Sequence, residues 1–398
     1  MDSQTYSENS VSQQRRHLTF LDTTLRDGEQ APDNAMTPEQ KLKLALMLED
    51  AGVETIELGF PASSPADFIA TEMISAQLTS SSFATFSRAL IKDVETAIKA
   101  GGTSDRHLVM MVATGSDLHL KHKRNITRNQ GILEVESAVA FARSASIRNI
   151  AVGIEDASRA DHGYMEMLAS AAVDAGANQI IFADTTGYAT PDSFYRLIKS
   201  ARDWVGPTVK LSTHCHNDLG LGLANALAGV NAGADEVQAT LGGIGERAGN
   251  TSLEQMVALL QYKNEYSVFS NIKLSKLYSA YNCLREIVGL EEQRTQPLFG
   301  KHAFSTAAGI HQQGILNNPD TYEYVKPEDV GRMRKLLVSR HSGRSVIRHT
   351  LGSMRVEFDE SDVDRLYEAL ICGGHQPTCS ELNDLEARIR VEFFGVNV

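Results

Sequence analysis

From residue 18 to residue 262 the chain alternates short runs of β-branched and aromatic residues with longer stretches of helical spacing. The runs that read as strands are Leu18–Thr24, Thr55–Phe60, Phe83–Arg88, His107–Ala113, Asn149–Glu155, Gln179–Thr185, Lys210–His216 and Glu236–Leu241. Helical stretches follow each of them, among them Pro38–Ala51, Pro65–Gln77, Asp93–Ala100 and Leu219–Ala232. Proline near a helix start (Pro38, Pro65, Pro191) and glycine after a helix end (Gly52, Gly101, Gly176, Gly233) punctuate the units. Three helices close on similar pieces, EDAGVETIEL, VDAGANQIIF and VNAGADEVQA, each with Ala-Gly leading into a strand. Strand–helix units in series demand parallel pairing with crossover helices. Eight of them in about 245 residues predict a (β/α)₈ TIM barrel. A doubly wound open sheet is the competitor, but no GxGxxG follows the first strand, and the Gly-rich GGIGERAGN comes after the last.

The pattern changes beyond the eighth unit. A helix is expected over Leu274–Val288, then a Gly/His/Gln-rich stretch, FGKHAFSTAAGIHQQG, and a charged helical tail. The expected organisation is a disordered arm over residues 1–16, a catalytic barrel over 17–265, and a mostly helical lid and dimerisation region over 266–398. Composition narrows the function. A net charge of −12 in 398 residues argues against sequence-independent binding to nucleic acid or anionic membranes, which need a basic surface. Four cysteines make no disulfide framework and suit a reducing cytosol. No apolar run reaches the ~18 residues of a membrane span, and the polar opening MDSQTYSENSVSQQRR has no secretory core. A cytoplasmic protein is expected.

Barrel enzymes gather their chemistry at the C-terminal ends of the strands. Here strand one ends in Asp22-Thr23-Thr24-Leu25-Arg26-Asp27, strand five in Glu155-Asp156, strand six in Asp184-Thr185 and strand seven in His214-Cys215-His216; Glu246, Arg247 and Asn250 follow strand eight. Side chains alternate along a strand, so His214 and His216 share a face and are spaced for one metal ion. Asp27 is the natural oxygen ligand, with a salt bridge to Arg26 as its bland alternative. Such mixed donors leave Zn²⁺, Mn²⁺, Mg²⁺ or Fe²⁺ open. Arg26 near a metal suits stabilisation of an oxyanion, against an ion pair to a rim acid. Glu155 is either a substrate-orienting acid or a helix N-cap, and Thr185 either holds a substrate carboxylate or caps a turn. His302 and His311, outside the barrel, are candidate general bases or polar interface residues.

The motifs DTTLRDGEQAP, ELGFPASSP, FADTTGYATP, STHCHNDLGLGLANALAGVNAGA and GGIGERAGNTSLE together resemble the metal-dependent acyl-CoA condensing family of 2-isopropylmalate and homocitrate synthases. GKHAFSTAAGIHQQG and HSGR match more loosely. The same superfamily contains 3-hydroxy-3-methylglutaryl-CoA lyase, and ELGFPASSP brings the chain nearest the 2-isopropylmalate synthase branch. The resemblance implies Asp27, His214, His216 and Asn250 around a divalent metal (Zn, Mn or Mg), Arg26 on the keto oxygen, and Thr185 and Glu155 toward the substrate. It also implies Glu246 as the acid that orients the base, with His311 as that base and Tyr322 as its companion, both from the lid of a homodimer. Arg88, Val109 and Gly153 are expected to face the substrate as well. Acetyl-CoA and a 2-oxo acid are the implied substrates, condensed in a Claisen-type reaction.

Departures from the family pattern bear on the oxo acid. Strand five ends Val-Gly-Ile-Glu-Asp where Phe-Ser-Pro-Glu-Asp is usual, strand four runs Leu108-Val109-Met110-Met111 where a histidine is usual, and the lid reads STAAGIHQ for HESGIHQ. All three make a site roomier or less polar, so a bulkier acid such as phenylpyruvate competes with 2-oxoisovalerate. A lyase acting on a 3-hydroxyacyl-CoA and a non-catalytic metal-bound module are the remaining classes. Only about 50 residues follow HSGR, too few for the leucine-binding regulatory domain of long relatives, so no leucine feedback through such a domain is expected.

Overall fold

The computed structural model describes residues 15–263, 265–372 and 380–394. They fall into two compact units, Met1–Leu290 and Glu291–Val398.

The first unit is a closed barrel of eight parallel strands: β1 (Thr19–Asp22), β2 (Thr55–Glu57), β3 (Ser82–Arg88), β4 (His107–Thr114), β5 (Asn149–Glu155), β6 (Gln179–Asp184), β7 (Lys210–Cys215) and β8 (Glu236–Ala239). Closure comes from β8 pairing with β1 in the register Thr19↔Glu236 to Asp22↔Ala239. The helices between the strands start where backbone chemistry places them. Thr37 caps Pro38–Ala51 with a reciprocal bond to Gln40, Ser64 caps Pro65–Gln77 and Thr190 caps Pro191–Val205, each with proline at the first helical position. The expected and observed bounds of the first two helices coincide.

Inside the barrel Leu21, Ala84, Leu108, Met110, Ala151 and Ile181 form one buried layer with Phe86 against it. This layer sets the parity of β4. Leu108 and Met110 face inward, so Val109, fully buried, faces the surrounding helices. Val109 therefore does not face a substrate. An apolar strand buried on both faces carries no alternation from which its parity can be read.

Two expectations about boundaries change. The helix Leu274–Val288 packs on Pro38–Ala51 and belongs to the barrel unit rather than to the lid region. Of the arm expected over residues 1–16, residues 1–14 lie outside the described residues. Arg15 and Arg16 are tied down: the Arg15 guanidinium donates to Val268 O and Leu260 O, and Arg16–His17 pairs in parallel with Val268–Phe269. Arg16 also forms an ion pair with Asp235 at 3.1 Å.

The second unit is mostly helical. Its small sheet joins Ser305–Thr306, Lys335–Val338 and Ser380–Glu381. Arg344–Ser353, Glu360–Tyr367 and Leu382–Phe394 enclose a core of Val338, Val346, Ile347, Leu351, Val363, Leu366, Leu385 and Ile389. Among the described residues no helix is long and apolar enough to cross a membrane.

Candidate active site

The C-terminal mouth of the barrel holds a cavity of about 380 Å³. Its floor begins where β1 runs into a wide helical turn, Thr24–Gly28. Asp22, buried at the strand end, accepts from the Thr24 N–H at 3.0 Å and the Thr24 hydroxyl at 2.9 Å, while the N–H groups of Arg26 and Asp27 both reach Thr23 O. This local bonding turns Arg26 and Asp27 into the cavity side by side.

Arg26 is buried and fixed on three sides. Its Nε donates to Glu57 Oε1 at 2.8 Å, its Nη1 donates to Asp27 Oδ1 at 2.8 Å, and its guanidinium carbon lies 4.6 Å from the centre of the Phe86 ring. Burial works against ionising Asp27, but the Arg26 charge, with His214 and His216, holds its carboxyl well below the usual carboxylate range. Burial pushes the Glu57 carboxyl up to about 7, against the pull of Arg26.

β7 delivers the two imidazoles. His214 Nε2 and His216 Nε2 lie 3.2 Å apart and face Asp27 Oδ2 at 3.6 and 3.8 Å. Burial keeps both rings below the ordinary histidine pKa, His216 at about 4, so both are neutral near pH 7, as metal ligands must be. Donors bound at roughly 2.0–2.2 Å from one ion sit about 3 Å or slightly more from each other. Among the described residues, Asp27, His214 and His216 are the one group of three such side chains, with ligand atoms all within 4.8 Å. Asn250 joins them through a backbone bridge to His216 and donates from Nδ2 to Asp27 Oδ2 at 2.7 Å. Its buried Oδ1 has no hydrogen-bond partner, so one oxygen donor beside the cluster stands unused.

The loop after β8 is folded tightly enough to require glycine. A Cβ on Gly245 (φ +149°) meets Asn250 Nδ2 at 2.2 Å, and one on Gly249 (φ +85°) meets Gly243 O at 1.9 Å. These glycines serve close backbone packing behind Asn250.

The remaining expected residues divide. Gly153, Glu155, Thr185, Arg88 and Glu246 line the cavity. Thr185 Oγ1 accepts from the Asp156 N–H at 2.8 Å, which leaves its own hydroxyl proton free to donate. Glu155 is no N-cap: Lys123 Nζ donates to it at 2.6 Å, His119 lies 3.3 Å away, and the next helix is capped by Asp161. Arg88 is half-exposed at the rim and paired with Asp93. A Cβ on Gly153 would meet nothing nearer than Met111 O at 3.8 Å, so this wall has space to spare. His311 and Tyr322 lie in the second unit with their rings 4.3 Å apart, tilted at 38°. His302, exposed, donates its N–H to Arg294 O.

Sequence reasoning passed over Glu57, Phe86, Lys123, Arg124 and Gln238, all but Glu57 lining the cavity. The basic run Lys121-His122-Lys123-Arg124 just after β4 was the signal for two of them.

The HMGL-like family model matches residues 17–284, more than half of the chain. The chain belongs to the HMGL-like family. A homocitrate synthase post-HMGL domain-like model matches residues 298–372 of this HMGL-like protein. It is 39% identical over 365 residues to a 2-isopropylmalate synthase of Xanthomonas oryzae pv. oryzae, covering 90% of this chain and 70% of that one. A 2-isopropylmalate synthase of Campylobacter fetus subsp. fetus is 37% identical over 354 residues, covering 88% and 70%. Among solved structures, hydroxymethylglutaryl-CoA lyase from Pseudomonas aeruginosa superposes with a TM-score of 0.60 at 19% identity, over 70% of this chain and 95% of that one. The carboxyl transferase domain of Rhizobium etli pyruvate carboxylase gives 0.54 at 17% identity, over 72% and 50%. At such identities these two share the barrel fold of the HMGL-like protein and no more.

Proposed function

We propose that this protein is an acyltransferase that condenses acetyl-CoA with a 2-oxo acid and hydrolyses the thioester, giving a 2-substituted malate and CoA, with 2-oxoisovalerate as the oxo acid. The observation that carries the reading is the Asp27–His214–His216 cluster with Arg26 beside it, on the floor of a cavity whose apolar side is formed by Phe60, Phe86, Met110, Val112, Ile181 and Ala183. The charged corner suits the keto and carboxylate oxygens, and the apolar wall suits a hydrocarbon side chain. The shared name of the relatives at 39% and 37% identity supports the branched-chain acid over an aromatic one. It also supports a synthase over a lyase, because the lyase likeness is one of fold alone.

Asp27, His214 and His216, with Asn250 alongside, would hold a divalent cation (Zn²⁺, Mn²⁺ or Mg²⁺), which would supply a Lewis acid and a template for the oxo acid. Thr185 donates its hydroxyl proton to the substrate carboxylate. His311, assigned as base on its motif, removes a proton from the acetyl methyl carbon, with Tyr322 and Glu246 assisting on the same ground. The freed electron pair forms the new bond to the keto carbon, and the carbonyl pair moves to oxygen, toward the Arg26 guanidinium. Protonation of that oxygen and attack of water on the thioester release CoA. Arg88, Lys123, Arg124 and Arg247 line the mouth, each paired with a carboxylate (Asp93, Glu155, Glu134 and Asp218), and contact with the polyanionic co-substrate would exchange one or more of these partners. The working form is proposed as a homodimer on family resemblance.

The test is CoA release followed with a thiol reagent across 2-oxoisovalerate, phenylpyruvate, pyruvate and 2-oxoglutarate in the presence of cation. Turnover greatest with 2-oxoisovalerate supports the reading. No oxo-acid-dependent release with any of the four rejects it.

A further inference from the structure

His214 and Gln238 are direct neighbours across the β7–β8 ladder, paired in register with side chains on the same face. The imidazole Nδ1 lies 2.9 Å from Gln238 Oε1. An amide oxygen only accepts, so this contact requires the proton on Nδ1 and leaves the lone pair on Nε2. Nε2 is the atom that faces Asp27 and His216. The other end of the amide is held weakly, by Met110 Sδ 3.6 Å from Nε2, and Gln238 is only 3% exposed. Turning the amide over would set its N–H₂ against Nδ1, force the proton onto Nε2, and aim an N–H at the cation position.

We propose that Gln238 is the positioning residue of the metal site: it fixes His214 in the Nδ1–H tautomer and so makes Nε2 a ligand. This inference rests on the assignment of Asp27, His214 and His216 as the cation site, and it reaches beyond the ligands to the group that prepares one of them. His216 has no such partner. Its Nδ1 is buried and unbonded, so the tautomer of the second ring is not set in this way. The two imidazoles, alike in sequence, are thereby unequal: Gln238 fixes the proton of one at its far nitrogen, while the other has no acceptor at Nδ1 and meets the bare Nε2 of the first at 3.2 Å.

The experiment measures cation affinity of the full-length protein, with Zn²⁺ and Mn²⁺ each titrated against a chelating indicator, in the parent, Gln238→Met and Gln238→Glu. Methionine keeps the length and removes the acceptor, whereas glutamate keeps the acceptor. Gln238→Met is expected to bind each ion about 10–100-fold more weakly, with turnover recovering in excess cation, and Gln238→Glu to bind at least as tightly as the parent. Equal affinity in Gln238→Met and the parent would overturn the role of Gln238 while leaving the cation site standing. A parent that binds neither ion would overturn both. Histidine ¹⁵N shifts of the cation-free parent, assigned by difference from His214→Asn, give a second readout that does not depend on how the Gln238 variants fold. They are expected to show His214 protonated on Nδ1, and an Nε2–H form would reject the inference.

Discussion

Asn250 donates a 2.7 Å hydrogen bond to Asp27 across 223 residues of sequence. The bond ties the loop after the last barrel strand to the turn after the first, and it leaves Asn250 Oδ1 buried and unpartnered. Asn250→Ala is expected to weaken binding of Zn²⁺ or Mn²⁺ by about 10–100-fold. Asp27→Ala is expected to abolish measurable binding and oxo-acid-dependent CoA release. Calorimetric titration and the thiol assay check the pair. Full affinity in Asp27→Ala would count against the cluster as a cation site.

Arg26 is predicted to act on the reacting oxygen rather than on affinity for the ion. Arg26→Gln should lower kcat by roughly 10²–10³-fold, the cost of losing one preorganised donor to a developing oxyanion. The KM for the oxo acid should move far less. Steady-state kinetics at saturating cation separates the two, and a change confined to KM would assign Arg26 to ground-state binding.

Gly153 sets the room beside Ile181 and Met111. Gly153→Val should fold, since the first added carbon meets only ordinary contacts, and should narrow the apolar wall. Preference is expected to shift toward smaller oxo acids by about 1–3 kcal/mol in kcat/KM, some 10–200-fold. Comparing pyruvate with 2-oxoisovalerate in parent and variant measures it. An unchanged ratio would place the substrate's side chain elsewhere.

His107 lies away from the mouth, at the start of β4, and gives a prediction about stability. Its Nδ1–H donates to Gly102 O at 2.7 Å, its Nε2 accepts from the Thr85 hydroxyl at 2.8 Å, and its ring stacks on Phe83. Burial lowers its pKa from 6.5 to about 4. Between those values the unfolded chain binds a proton that the folded protein refuses, so the stability contributed by neutral His107 is present above pH 6.5 and lost as pH falls toward 4. Asp22 and Glu254, raised to about 7 by burial, work in the opposite direction. The quantity to measure is therefore the difference in unfolding free energy between the parent and His107→Gln. It should grow by ~3 kcal/mol in the parent's favour from pH 4 to pH 7, as read from urea midpoints, and a flat difference would refute the buried neutral ring.

The barrel, its eight strands and the shared face of His214 and His216 were legible in the chain because each rests on a short-range rule. Period, helix caps and the His-x-His alternation all act within a few residues. Val109 was misplaced by one position because an apolar run buried on both faces hides its own parity, which only the layer of Leu21, Ala84 and Ile181 fixes. Glu57 and Gln238 escaped for a different reason. Each sits inside a strand that reads as ordinary, and its meaning comes from a partner 31 or 24 residues away on the next strand or turn. Arg15 and Arg16 read as the end of a loose arm, yet they hold backbone carbonyls and a carboxylate more than 200 residues downstream.

The pairing of β8 with β1 has a kinetic meaning. The carboxylate comes from the turn after the first barrel strand and the two imidazoles from the seventh, and the loop carrying Asn250 follows the eighth. A partial barrel lacking its final seam does not bring Asp27, His214 and His216 together, so an ion held by the three would stabilise the closed ring alone. Supplying cation during refolding should accordingly slow unfolding and leave the early folding rate untouched.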